Sequence, residues 1–237
     1  MTDKLLVIIP CYNEEAALPA LLSALATITL PRYYHSEIVV INDCSADNTR
    51  VIAEQYKATV LDLPINLGIG GAVQTGLLYA LHNNFNIAIQ IDGDGQHPPS
   101  ELVKLINHYE TTGANLIIGS RFIKKQGFQS SFFRRLGIKY FHWLNKVFTG
   151  QSIFDSTSGF RLFDKKAIGL AAAYYPDEYP EPESLVFFSK AGLTISETPV
   201  VMAKRNGGQS SIRNFASLYY CIKVTIAMFF SSIRKYS

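Results

Sequence analysis

IAIQIDGDGQHPP, residues 87–99, is the stretch on which the reading of this chain turns. Its first six residues, IAIQID, are apolar enough for a strand buried on both faces, the mark of a parallel sheet. The strand ends on Asp92, and Asp94 follows two residues later, with Gly93 and Gly95 allowing the backbone a tight path. Two carboxylates at a strand end can clamp one hard divalent cation, Mg²⁺ or Mn²⁺, which takes oxygen ligands and keeps room for substrate phosphates. Gln96 or His97 would complete the shell. The plain alternative is an acidic turn that caps the helix SELVKLINHYE (100–110), which Pro98 and Pro99 introduce.

The same alternation runs outward on both sides. LLVIIP (5–10), EIVVIND (37–43) and TVLDLP (59–64) read as strands. EEAALPALLSALATI (14–28), NTRVIAEQYK (48–57) and GAVQTGLLYALHN (71–83) read as helices between them, and ANLIIGSR (114–121) is a fifth strand. Pro19 is compatible with the first helix if it lies in the first turn. Strands separated by helices predict an α/β, Rossmann-like fold: a mostly parallel sheet flanked by helices, with its ligand crevice beyond the C-terminal strand ends. Cys11 to Glu14, Asp43 and Asp92 to Gln96 all fall there, and acids at three strand ends favour the metal reading over the cap. Downstream, residues 130–150 predict a basic amphipathic helix, 155–162 a turn and strand, 182–191 a helix, and 195–202 a strand.

The 237 residues are 48% hydrophobic and 17% charged, which excludes a disordered chain and allows a sizeable core. The net charge of +3 conceals a split: residues 1–120 carry 5 Lys and Arg against 12 Asp and Glu, and residues 121–237 carry 17 against 7. The basic half suits phosphates or an anionic membrane. Nucleic acid is disfavoured as a partner, because the basic residues are interleaved with large apolar faces and match no recognised motif. Cys11, Cys44 and Cys221 form no CxxC, which argues against a disulfide framework or zinc site and for a reducing compartment. MTDKLLVIIP reads as a first strand rather than a signal peptide, and no uncharged apolar run is long enough for a transmembrane helix. No linker or low-complexity tract divides the chain.

Asp43 is placed to accept hydrogen bonds from a ribose or base, while Ser45 or Asp47 beyond it would cap the next helix. Tyr12 could stack on a base. INLGIGGAVQTG (65–76) is glycine-rich but is neither GxGxxG after the first strand nor GxxxxGK[ST], so the dinucleotide and P-loop fingerprints are missing. Arg121, Arg161 and Arg205 sit beside glycine or at element ends, with planar forks that match a diphosphate and oppose its charge as it leaves. DEYPEPES (177–184) offers Glu181 and Glu183 as a general base for a sugar-hydroxyl acceptor, or as acids complementing a helix N-terminus. A phosphate acceptor is already an anionic nucleophile and requires no base.

Wound as a helix, residues 211–235 carry Arg213, Ser217, Tyr220, Lys223, Ser231, Arg234 and Lys235 along one edge. Phe215, Leu218, Ile222, Ile226, Phe229 and Ile233 fall opposite. Two readings stand: an interfacial helix on anionic lipid, or a helix burying its apolar face against the domain or a partner subunit. Phe132, Phe133, Tyr140, Phe141 and Trp143, with Arg134, Arg135, Lys139 and Lys146, form a second such helix.

VIIPCYNEE (7–15), VVINDCSADNT (39–49), N-x-G-x-G (66–70), IDGDGQHPP (91–99), GSRF (119–122), SGFRLF (158–163), KAG (190–192) and RNGGQSSI (205–212) together resemble segments of family 2 glycosyltransferases of the GT-A fold. The nearest branch resembles dolichyl-phosphate mannose synthase and its bacterial polyprenyl-phosphate relatives. The resemblance implies a GT-A domain over 1–212 and an amphipathic, membrane-interfacial helix over 213–237. It implies an inverting, metal-dependent transfer from a nucleotide-diphosphate sugar to a polyprenyl phosphate or lipid-linked saccharide, in cell-wall or surface-polysaccharide synthesis. The protein would work as a peripheral protein on the cytoplasmic face of the membrane, with a small membrane protein or a second copy as partner. Pro10, Tyr12, Glu14 and Asp43 would hold the nucleoside. Asp92, Gly93, Asp94 and Gln96 would handle Mg²⁺ or Mn²⁺ and the diphosphate, and Arg121, Arg161 and Arg205 would lie near donor phosphates or a phosphate acceptor. The sequence departs from the branch at Ser211, where lysine is usual, and at the PEPE run (180–183), near where hydroxyl-acceptor members carry their catalytic acidic pair. Transfer to a non-lipid sugar hydroxyl is the first alternative. A nucleotidyltransferase would need a basic, glycine-rich loop where CYNEE stands, and a non-catalytic nucleotide-binding membrane adaptor would not need Asp92 or Asp94.

Overall fold

The alternation along β1 (Asp3–Cys11) sets out the layers of the molecule. Leu5, Val7 and Ile9 enter one apolar layer and Leu6 and Ile8 the other, as the two-residue period of a strand requires. The structure, a computed structural model, describes residues 3–31, 34–123, 132–178, 180–203 and 216–234. The further strands are β2 (Tyr34–Asn42), β3 (Thr59–Asp62), β4 (Ile87–Gln90), β5 (Leu116–Ser120), β6 (Arg161–Asp164) and β7 (Ile195–Pro199). They form one sheet in the order β3-β2-β1-β4-β6-β5-β7, parallel except for β6, which runs antiparallel between β4 and β5. The expected α/β fold with a mostly parallel sheet is thus present.

Helices α1 (Leu18–Ala26), α2 (Thr49–Gln55) and α4 (Leu102–Thr112) cover one face through Leu18, Leu22, Ala53, Leu105 and Ile106. Helices α3 (Gly68–His82), α6 (Lys165–Tyr174) and α7 (Pro180–Lys190) cover the other through Val73, Leu77, Ile168, Ala171 and Phe188. Pro19 lies in the first turn of α1, where its missing N–H costs no helical bond. The chain leaves β1 toward β2 and β3, then returns to β4 on the other side of β1, so a crevice opens between the ends of β1 and β4.

The turn and strand expected at 155–162 are both present: the residues before Arg161 form a turn in which Ser158 Oγ donates to the Gly119 carbonyl at 2.8 Å, and β6 follows. One helix goes beyond the sequence reading. The sequence reading assigns no helix to α6. Its KKAIGLAAAY lacks a sharply alternating polar face, yet Asp164 caps it by accepting from the Ala167 N–H at 2.8 Å.

Helix α5 (Phe132–Thr149) and α8 (Ala216–Ile233) pack with α7 in a separate small core of Phe141, Leu144, Val186, Val224 and Met228. Helix α8 is apolar on two sides: Val224 and Met228 enter the core, with Ser231 buried beside them. Lys223 pairs with Glu178 at the surface. Tyr219, Ile222, Ile226, Phe229, Phe230 and Ile233 point outward, each between 51% and 63% exposed. This second apolar stripe is not covered by the described residues. Arg213, Phe215 and Lys235 lie outside the described residues, as do the side chains of Ser217, Leu218 and Phe132 to Arg135.

The ends of β5 and β7 are joined by a buried ionic stack. Glu197 of β7 accepts from the Phe154 and Asp155 N–H groups at 2.7 and 2.8 Å. Asp155, fully buried, accepts from Arg121 Nη2 at 2.6 Å and Nε at 2.7 Å. Burial works against the charge on Arg121, and the Asp155 carboxylate outweighs it, raising the guanidinium's pKa. Removing one partner leaves an uncompensated charge in the interior. Asp155→Ala is therefore expected to lower unfolding free energy by about 3–5 kcal/mol in urea titrations, with Asp155→Asn losing less because its carbonyl oxygen still accepts.

Candidate active site

The loops after β1 and β2 are fastened to each other by side chains that the sequence presents as CYNEE and CSADNT. The Asn13 N–H donates to Ser45 Oγ at 3.0 Å, and Asn13 Oδ1 accepts from the Ala46 N–H at 2.8 Å. The Glu14 N–H donates to Thr49 Oγ1, the Glu15 N–H to Asp47 Oδ2, and Glu15 Oε2 accepts from the Asn48 N–H. Asn13 and Cys44 hold φ of 56° and 57°, the left-handed turns that bring the loops face to face. Pro10 is buried in β1, and Tyr12 stands at the rim, 53% exposed. Asp43 is buried, its two oxygens accepting from the Leu67 and Gly68 N–H groups at 2.7 and 2.9 Å. It thereby docks the start of α3, and with it the N-x-G-x-G segment, onto the end of β2.

Across the crevice, the turn after β4 closes tightly on β1. A Cβ on Gly93 would stand 2.7 Å from Cys11 Sγ and 3.1 Å from the Pro10 carbonyl oxygen, so only glycine permits this approach. The Gly93 Cβ position also lies 3.6 Å from Glu14 Cγ, and burial, then Glu14, Asp47, Asp92 and Asp94, push the Cys11 thiol far up. Asp94 Oδ1 accepts from the Gln96 N–H at 3.0 Å. Beside Asp92 lies the Gly159 backbone, where a Cβ would meet Asp92 Oδ1 at 2.9 Å. His97 is buried, stacked on Phe160 at 4.9 Å, with Nε2 4.0 Å from Asp92 Oδ2. Burial and then Arg121 push this imidazole down to about 4, so it is neutral at physiological pH.

Asp92 and Asp94 fit a hard divalent cation by donor chemistry: both offer oxygen, both are partly exposed, and their combined charge lies where a cation would offset it. Among the described residues no three His, Cys, Asp or Glu side chains gather into a full ligand cage. Two carboxylates with an open remainder are the arrangement that leaves ligand positions to a diphosphate.

The far wall is basic. Arg161 is fully buried, with Nε donating to the Ser158 carbonyl at 2.7 Å, Nη1 to Ser184 Oγ at 2.7 Å, and Nη2 to the Glu181 carbonyl at 2.8 Å. It thus ties the turn beside Asp92 to the first turn of α7, where Glu181 and Glu183 stand. Burial pushes the Glu181 carboxyl up; Arg161 opposes this and Asp92 adds to it. Glu183 is likewise raised by burial and by Asp177. Arg121 lies within electrostatic reach of Asp92 and Glu181. The structure so brings together Glu14, Asp92, Asp94, Arg121, Arg161 and Glu181, while Arg205 lies outside the described residues. The sequence reading missed Glu15 as the tie between loops, and Asp155 and Glu197 as supports of Arg121.

The family model described as Glycosyl transferase family 2 matches residues 6–169. An uncharacterised protein of Methanocaldococcus jannaschii is 31% identical over 204 residues, covering 84% of this chain and 81% of its own. A UDP-N-acetylglucosamine–dolichyl-phosphate N-acetylglucosaminyltransferase of Methanococcus voltae is 28% identical, covering 84% of this chain and 86% of its own. A polyprenol monophosphomannose synthase of Mycolicibacterium smegmatis is 27% identical, covering 89% and 82%. Among solved structures, mannosyl-3-phosphoglycerate synthase from Rubrobacter xylanophilus superposes with a TM-score of 0.74 at 15% identity, covering 98% of this chain and 77% of that one. Glucosyl-3-phosphoglycerate synthase from Mycobacterium tuberculosis, crystallised with Mn²⁺, UDP-glucose and phosphoglyceric acid, gives 0.72 at 17%, covering 97% and 80%. With its acidic crevice at the switch point and its antiparallel sixth strand, the chain is a glycosyltransferase of the GT-A fold and belongs to glycosyl transferase family 2.

Proposed function

We propose that this glycosyltransferase moves a sugar from a nucleoside diphosphate to a polyprenyl phosphate at the cytoplasmic face of a membrane, in cell-wall or surface-polysaccharide synthesis. The observation that carries the acceptor is the outward apolar stripe of α8, on a chain similar to enzymes named for dolichyl and polyprenol phosphates. No described helix is long and apolar enough to cross a membrane, and this reading places the contact at its surface. Exposed Trp143 and Val147 of α5, between and beside exposed Lys139 and Lys146, give that helix an interfacial composition as well.

In this reading Pro10, Tyr12, Glu14 and Asp43 form the nucleoside side of the crevice, with Tyr12 as the rim residue available for stacking on the base. Asp92, Asp94 and Gln96 would hold Mg²⁺ or Mn²⁺, which when bound would offset the charge of the diphosphate. Arg121, held in place by Asp155, adds positive potential on the leaving-group side, and Arg205 serves the same phosphates. The acceptor phosphate oxygen forms its bond to the anomeric carbon as the bond to the diphosphate breaks, so the centre inverts in one displacement. That oxygen is already anionic, and no proton has to be removed.

The test is transfer from a panel of nucleotide sugars to polyprenyl phosphate in detergent, with Mg²⁺ or Mn²⁺ and then with chelator. Asp92→Asn and Asp94→Asn are each expected to lower kcat by about 10²–10³, as loss of a charge-stabilising group does. Glu181→Gln and Glu183→Gln are expected to stay within about tenfold; a loss of about 10²–10⁴ at either would assign a hydroxyl acceptor and a side-chain base instead. Absence of transfer from every nucleotide sugar would refute the reading. For the membrane contact, Ile226→Glu is expected to reduce co-sedimentation with phosphatidylglycerol vesicles about tenfold, and unchanged sedimentation would remove α8 from the interface.

A further inference from the structure

Glu101 is a carboxylate only 7% exposed, at the entrance to α4 and away from the crevice wall. Its Oε2 accepts from the Val201 N–H at 3.0 Å, and Lys104 Nζ donates to both of its oxygens at 2.6 and 2.9 Å. Val201 belongs to the segment leaving β7. Two residues further on, the Ala203 N–H donates to the Gln96 carbonyl at 2.8 Å. Gln96 is bonded on its other side too, since its own N–H donates to Asp94 Oδ1 at 3.0 Å. A continuous line of hydrogen bonds therefore runs from the Asp94 carboxylate through the Gln96 peptide units to Ala203, and Glu101 fixes the other end of the same segment. Ala203 stands two positions before Arg205 in sequence.

We infer that Glu101 is a positioning residue that registers the segment leaving β7 against the turn bearing Asp94, so that residues 200–203 and this turn move as one. A salt bridge with Lys104 alone would not account for this placement. Lys104 is an exposed (i, i+3) neighbour that Glu101 could meet from the helix surface, whereas the carboxylate is sunk to reach a backbone N–H one hundred residues away. An N–H at Val201 needs an acceptor there, and a side chain from the turn supplies it where no strand does. Because Gln96 uses both its N–H and its carbonyl in the line, a shift of residues 200–203 pulls on the peptide that orients Asp94.

The inference rests on the transfer reading only for its kinetic arm. The first arm is amide hydrogen exchange of the full chain without substrate. In Glu101→Ala the amides of both Val201 and Ala203 are expected to exchange about tenfold faster, and in Glu101→Gln, whose carbonyl oxygen still accepts, to return to within about threefold of the parent protein. Opening of Val201 with Ala203 still protected would show that the two ends are independent and would overturn the inference. The second arm is steady-state transfer. KM for the nucleotide sugar is expected to rise about tenfold in Glu101→Ala with KM for the lipid-phosphate acceptor within about threefold, and Glu101→Gln is expected to rescue it. An unchanged KM for the nucleotide sugar, or a Glu101→Gln variant as poor as Glu101→Ala, would reduce Glu101 to a stability element. If Glu101→Ala does not fold, Ala203→Pro removes the other N–H at an exposed coil position and must give the same donor-side rise. An inactive parent protein would sink the transfer reading while leaving the exchange arm to decide this one.

Discussion

Glu14, Asp47, Asp92 and Asp94 all bear on the Cys11 thiol at the end of β1, and keeping these like charges together is the constraint on which the site depends. In an open chain they would repel one another apart. N–H donors hold several of the acids at this edge: Glu15 and Thr49 at Asp47, Gln96 at Asp94, and Leu67 and Gly68 at the neighbouring Asp43. The Glu15, Leu67 and Gly68 bonds join loops that the parallel sheet brings to one edge, and the Thr49 and Gln96 bonds are local turns. Charge fixed by backbone donors in this way is the preorganisation that electrostatic catalysis uses.

The opposite wall balances it. Arg121 and Arg161 come from the two strands that pair antiparallel, β5 and β6, and both are anchored by protein groups. Arg161 uses backbone carbonyls and a serine hydroxyl, so its charge is satisfied without a partner acid in direct contact. Arg121 has such an acid, and the peptide N–H groups of that acid and of Phe154 donate to the Glu197 carboxylate. Fixed charges of both signs are thus gathered at the C-terminal ends of β1 and β4, the guanidinium groups largely buried behind the acids.

The front half of the molecule was legible because its chemistry is local. Apolar runs such as LLVIIP and IAIQID are buried on both faces, and the acids that end them fall where strand ends must fall. The back half was less so, because its decisive contacts join residues far apart. Nothing near Asp155 in sequence announces Arg121 or Glu197, and the antiparallel direction of β6 follows from which neighbours it meets rather than from RLFD itself. Helix α6 hid for a different reason: a helix nearly all small and apolar carries little of the polar–apolar contrast that periodicity reads. Helical winding did find the two faces of α8, but pattern alone could not say which one the domain would take.

That last choice has a consequence for where the protein can be cut. Val224 and Met228 of α8 complete a core with Phe141 and Leu144 of α5 and Val186 of α7. A truncation ahead of α8, inviting because the family-matched region ends at residue 169, would open that core to water within one helix of Glu181. Helix α8 is therefore as much a wall of the enzyme as an appendage, packed on its inner side and apolar on its exposed outer one.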